Sequence, residues 1–147
     1  AYPKAIRNDE KISGFVSEAP WRDLGRVPLY FEANMELIQR RLQLSYLDPL
    51  STFTHTPKKE VDSVVRLGKD VHLGENVLLH PPVLVGDRAR LLDGAVVGPN
   101  AIIGKDVVVG KQATVRDAIV FKGSKVAPGA SLNRCVVSKK HTVSVDD

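Results

Sequence analysis

Residues 83–115 read VLVGDRARLLDGAVVGPNAIIGKDVVVGKQATV. Every sixth residue of this stretch is a branched aliphatic: Val85, Leu91, Val97, Ile103, Val109 and Val115. The row extends upstream through Leu79, Leu73 and Leu67 to Val61. Glycine follows the aliphatic at six of eight successive positions (Gly68, Gly74, Gly86, Gly98, Gly104 and Gly110), interrupted by His80 and Leu92. Four residues after each aliphatic stands a second small or apolar row: Val65, Val71, Val77, Val83, Ala89, Ala95, Ala101, Val107, Ala113 and Ile119. A period of six fits neither a helix nor a single strand, but as a multiple of two it suits short strands joined by recurring turns. Both rows then face inward. The glycine beside each aliphatic is expected to turn the corner with a dihedral that a Cβ would oppose. The implied fold is mainly β: a parallel β-helix of hexapeptide repeats, with three hexads per coil and coils about 4.8 Å apart.

The frame holds to about residue 119 and then slips by one. Val126-Ala-Pro-Gly-Ala-Ser repeats the shape of Val97-Gly-Pro-Asn-Ala-Ile, but 29 residues on rather than 30. In the new frame Val120, Val126 and Leu132 are expected to carry the inward aliphatic row, with Ala130 and Val136 on the second. Roughly four coils result, ending near Val137. The polar tail from Ser138 to Asp147, with Lys139 and Lys140, is expected to fray or to cap the open end.

Upstream the habits change. Seven of the eight aromatics lie in the first 53 residues, whereas nine of the eleven glycines lie between Gly68 and Gly129. We therefore expect a division into residues 1–53 and 54–147. Ile12–Val16 reads as a short strand. Pro28 suits the first turn of a helix running to about Leu44, because its missing N–H is not needed there. Phe31, Met35, Ile38 and Leu42 form one apolar stripe on that helix. The stripe has three candidate partners: the β-helix, another part of a longer chain, or a second molecule. Arg40 and Arg41 complement the dipole at the helix end. From Asp48-Pro49 to Pro57 the chain is turn-prone and reads as a linker.

Twenty-one basic against seventeen acidic residues leave +4, too mild a bias for a nucleic-acid or polybasic membrane protein. The outward residues mix both signs, and no aromatic platform for nucleic acid stands among them. No apolar run approaches the length of a membrane span. The single Cys135 excludes an internal disulfide and suits a reducing, cytoplasmic compartment.

Hexads of this kind resemble those of the left-handed class of β-helix, an exception to the usual right-handed crossover. The stretch from Gly14 to Asn34 resembles the end of the catalytic domain in sugar-1-phosphate nucleotidyltransferases. The resemblance is carried by Trp21, Asp23, Leu24, Gly25, Tyr30, Ala33 and Asn34, joined through a helix to the hexads. The β-helix looks nearest to the mannose-1-phosphate guanylyltransferase type, while Trp-Arg-Asp also occurs in ADP-glucose pyrophosphorylases. In this family a sugar-1-phosphate oxygen attacks the α-phosphate of a nucleoside triphosphate and pyrophosphate leaves, with Mg2+ screening the phosphates. The resemblance implies that Asp23 helps to hold that metal; on its own, Asp-x-Gly describes a turn or cap before a helix. The family pattern has threonine or another small residue after the glycine, where this chain has Arg26.

No Gly-rich phosphate loop and no second metal-binding aspartate of the family pattern precede this segment, and Ala1 is not an initiator methionine. The expectation is a C-terminal fragment that does not catalyse alone and supplies an oligomerisation or regulatory β-helix. Nucleoside triphosphate and sugar-1-phosphate would be partners of the full-length enzyme. A homo-oligomer is expected, since open coil ends and flat faces invite self-association. The alternative is a hexapeptide-repeat acyltransferase using acyl-CoA, with His72 or His80 as base. It leaves Trp21–Asn34 unexplained, and few insertions interrupt the hexads. Solvated corner histidines are the simpler reading of both positions.

Overall fold

A computed structural model describes residues 2–18, 21–39, 41 and 65–146. Two helices, α1 (Tyr2–Arg7) and α2 (Val27–Ile38), precede a β-solenoid of about four coils. The first coil comprises β1 (Val65–Leu67), β2 (His72–Leu73) and β3 (Leu78–Leu79); the second comprises β4 (Val83–Val85), β5 (Arg90–Leu91) and β6 (Val96–Val97). The third takes β7 (Ala101–Ile103), β8 (Val108–Val109) and the first part of β9 (Thr114–Val120). The fourth takes the rest of β9, β10 (Lys125–Val126) and the start of β11 (Ser131–Val137). All these coils pair in parallel. The chain then reverses into β12 (Thr142–Ser144), antiparallel to β11.

Register makes the repeat explicit. Val65 pairs with Val83, and Val83 with Ala101, 18 residues apart each time. Ala101 then pairs with Ala118, 17 residues on, and Ala118 with Cys135, again 17. Inside, a larger aliphatic (Val85, Leu91, Val97, Ile103, Val109, Val115, Val120) alternates with a small residue (Ala89, Ala95, Ala101, Ala113, Ala118), all nearly fully buried. Each buried aliphatic contributes about 1.5–3 kcal/mol of apolar transfer. Val83 and Val107 occupy the second row as well and are equally buried, so that row holds nothing larger than valine.

The slip falls one residue earlier than the hexad count places it. Val97 reaches Ala101 through Gly98-Pro99-Asn100, whereas Val115 reaches Ala118 through Arg116-Asp117 alone. Ala118 therefore faces the core and Ile119 turns outward opposite Ile102. The same shortening at Asn133-Arg134 sends Cys135 inward and Val136 outward. Ile119 and Val136 are thus corrected from inward to outward.

The corner glycines also have a different cause. Of the six, only Gly98 has positive φ. The left-handed residue usually falls two places later, at Asp70, Asn76, Arg88, Gly94, Asn100, Asp106 and Gln112. Most of these are short polar or glycine residues, the types that visit this region most readily. The glycines are required instead by close stacking. A Cβ at Gly86 would lie 2.6 Å from the backbone nitrogen of Lys105, and one at Gly104 2.6 Å from that of Lys122.

The N-terminal part departs further from expectation. Residues 12–16 form no strand: Phe15 is 92% exposed, and no described strand lies alongside to pair with it. Helix α2 begins at Pro28's turn as expected but ends at Ile38, not near Leu44. Gln39 leaves helical geometry, and its side chain bonds to the solenoid. Arg40, Leu42 and the linker from Asp48 to Pro57 lie outside the described residues. No described helix is long and apolar enough to cross a membrane.

Candidate functional site

The stretch from Trp21 to Asn34 forms a short loop and then α2. Asp23 Oδ1 accepts the Gly25 N–H at 2.8 Å, folding the loop back just before the helix. A Cβ on residue 25 would stand 3.1 Å from that oxygen, so glycine leaves room for the turn. Arg22 donates to Glu36 Oε2 through Nε at 3.0 Å and Nη2 at 2.9 Å, which ties the loop to α2. Its Nη1 also bonds the Trp21 carbonyl at 3.0 Å. The Trp21 ring remains 78% exposed, and Leu24 is exposed beside it. Within α2, Asn34 Nδ2 donates to the Tyr30 carbonyl at 2.8 Å, and Ala33 is buried.

Asp23 is exposed, with one oxygen committed to the turn. Among the described residues, no group of three or more His, Cys, Asp and Glu is placed to hold a metal. The carboxylate is a hard oxygen donor fit to supply one ligand to Mg2+, which is usually held by one or two carboxylates plus phosphate oxygens. His72 lies exposed on β2, and His80 lies exposed just after β3. Neither histidine side chain has a described partner, and β2 and β3 belong to different sheets.

Helix α2 packs on one face of the solenoid. Phe31, Met35 and Ile38 bury against Leu84, Ile119, Val136 and Val145, with Tyr30, Val27 and Ile102 at the margin. Of the three candidate partners for the apolar stripe, the described part therefore meets the solenoid. The contact is anchored at both ends. Near the start, Tyr30 meets Phe121 edge-on at 5.9 Å. Beyond the end, Gln39 Nε2 donates to Asn100 Oδ1 at 2.9 Å, and Asn100 Nδ2 donates to Asp117 Oδ1 at 2.9 Å. Between them the Arg134 guanidinium stands 6.0 Å from the Phe31 ring while pairing with Asp146 at 2.7 Å. The residues that receive the helix escaped the six-residue reading, although a signal for them exists. At a period of 18 or 17, Leu84, Ile102, Ile119 and Val136 occupy one outward position. The equivalent position of the four-stranded sheet carries His72, Arg90, Val108 and Lys125.

Residues 79–145 match the family model described as the GMPPB C-terminal domain. That stretch is similar to the GMPPB C-terminal domain. The match runs from β3 through β12, so it takes in the row that receives α2. A GMPPB-type domain makes this chain similar to the C-terminal part of a mannose-1-phosphate guanylyltransferase-type enzyme. The Trp21–Asn34 segment lies outside the matched residues. It is held to the GMPPB-type domain by the contacts of α2.

Proposed function

We propose that this chain is the C-terminal portion of a nucleotidyltransferase that makes nucleoside-diphosphate sugars from a nucleoside triphosphate and a sugar-1-phosphate, releasing pyrophosphate. The observation that carries the reading is the junction itself. A segment resembling the end of such a catalytic domain is docked, through α2, onto a GMPPB-type solenoid. Residues 1–53 are the edge of the catalytic domain with its helix and linker, and 54–147 are the solenoid domain. The coil is of the left-handed class.

In the full-length enzyme Asp23 supplies one carboxylate oxygen to Mg2+. When bound, that ion screens the phosphates of the two substrates. The loop bond from Gly25 to Asp23 Oδ1 and the Arg22–Glu36 pair hold the carboxylate in a defined orientation at the start of α2. The solenoid serves as an assembly and regulatory body, joining copies into a homo-oligomer through its open end or its flat faces. The enzyme works in the cytoplasm, where Cys135 stays reduced.

The test is an enzyme assay on two chains. Extending the reading frame upstream of residue 1 is expected to add a Gly-rich phosphate loop and to yield a protein that releases pyrophosphate. The 147-residue chain is expected to release none. In the extended protein, Asp23→Asn lowers turnover far more than it lowers stability. Turnover by the short chain, or normal activity of the Asp23→Asn enzyme, contradicts the reading.

A further inference from the structure

The first corner of each coil forms a column, and the column changes character towards its end. Its levels are Gly68-Lys69-Asp70, Gly86-Asp87-Arg88, Gly104-Lys105-Asp106, Phe121-Lys122-Gly123 and Ser138-Lys139-Lys140-His141. The first three levels carry three cations and three carboxylates, so their formal charges balance. Asp87 Oδ1 accepts the Lys69 N–H at 2.9 Å, and Arg88 grips Asp106 through two bonds of 2.8 and 2.9 Å. The last two levels carry Lys122, Lys139, Lys140 and His141 and no carboxylate. None of these four side chains has an ion-pair or hydrogen-bond partner among the described residues. In the levels below, Arg88 is paired with Asp106.

The fourth level also breaks the glycine rule. A side chain at Gly68, Gly86 or Gly104 would strike the backbone of the next coil, yet the same place here holds Phe121. It is tolerated because the chain stops stacking corners. Residues 138–141 fold back on themselves, with Ser138 Oγ accepting the His141 N–H at 3.0 Å, and lead into antiparallel β12. What remains is an open groove of about 730 Å3 lined by Phe121, Lys122, Ser138, Lys139, Lys140 and His141. Phe121 is 39% exposed there, and its ring meets that of Tyr30 edge-on. Lys139 is seated over the corner: a Cβ at Gly123 would lie 2.7 Å from its Cε.

We infer that this groove binds a nucleotide-class anion, with its phosphates on Lys122, Lys139 and Lys140 and its flat base against Phe121. Clustered lysines without a counter-charge repel one another, and a di- or triphosphate neutralises them together. An aromatic ring beside them offers stacking to a base of any sequence, worth up to tenfold or more in affinity. The site lies on the solenoid beside the first turns of α2, away from Asp23's role in the proposed reaction. The inference rests on the groove alone and does not require the nucleotidyltransferase reading.

The test follows backbone amide resonances of the 147-residue chain titrated separately with pyrophosphate, GDP and guanosine. Saturable shifts confined to residues 121–123 and 138–141 are expected with pyrophosphate and GDP, GDP binding about tenfold tighter through the base. Guanosine alone is expected to leave those residues unmoved at the same concentrations. Lys139→Ala with Lys140→Ala weakens GDP binding at least about tenfold, while Lys69→Ala, on the balanced part of the same column, changes nothing. Phe121→Ala removes the advantage of GDP over pyrophosphate. No saturable shift below about 10 mM, shifts spread evenly over all lysines, or equal affinity for GDP and pyrophosphate would each overturn the inference. No turnover is measured, so the result is independent of whether the chain belongs to a nucleotidyltransferase.

Discussion

The solenoid and the segment before it are ordered by two different rules. From Val65 to Val137 each coil is templated by the one beneath it, so the same contact recurs and the core is one continuous stack. Residues 2–39 contain no repeat. Here the described contacts with the solenoid come from α2, through a second, smaller cluster, and from Gln39 just beyond it. Repetition decides what is inside the coil, and an interruption of the outward polarity decides which face is covered. The two faces without a helix show polar or half-exposed outward positions, whereas the covered face carries Leu84, Ile102, Ile119 and Val136.

Substitutions that strike one rule and spare the other separate them. The largest effect is expected from Ala101→Arg, because a charge placed at a fully buried position of the stack has no partner and costs several kcal/mol. Cooperative thermal unfolding followed by circular dichroism disappears; an unchanged melt contradicts the register. Phe31→Ala comes next. Truncating a buried phenylalanine costs about 3–5 kcal/mol, enough to undock α2, so helical signal falls while the β melt keeps its midpoint. Gly104→Ala follows, at about 1–3 kcal/mol from overpacking against the Lys122 backbone, and denaturant midpoints measure it.

The smallest effect concerns the surface pair of Lys111 Nζ and Asp93 Oδ2, 2.8 Å apart. Lys111 is the main cause of a lowered Asp93 pKa, helped by the Glu75 N–H, and Asp93 in turn raises that of Lys111. A lowered carboxylate pKa gives stability present above the unfolded value of 3.8 and lost as pH falls through the folded one. A raised lysine pKa gives stability present below 10.5 and lost as pH rises through the folded value. The difference between wild type and Asp93→Asn should therefore stay flat across neutral pH. It should shrink at both extremes and fade in high salt, since both groups are exposed. A difference that grows on acidification counts against the pair.

Most of the coil was legible because inward positions recur every six residues and leave one arrangement that buries them all. The slip was misplaced at Ala118-Ile119 because both residues are apolar; only the shortened corner Arg116-Asp117 decides which one turns inward. The corner glycines were recognised but given the wrong cause, since a hexad pattern does not reveal how near the next coil's backbone lies. Helix α1 carries no apolar stripe with a partner to announce it, and all its described side chains are exposed or half-exposed. Of the candidate site, Asp23 and its turn were legible from local spacing. The basic groove was not, because it joins Phe121 and Lys122 to Ser138–His141, neighbours only after the coil closes.

Amide hydrogen exchange on wild type and Ile119→Asn tests the central claim most directly. In wild type, protection should be highest from Val83 to Val137, intermediate in α2 and absent over residues 11–18. In Ile119→Asn, α2 should lose its protection while residues 83–115 keep theirs. A helix that stays protected, or a solenoid that loses protection together with it, would contradict two regions built on separate rules.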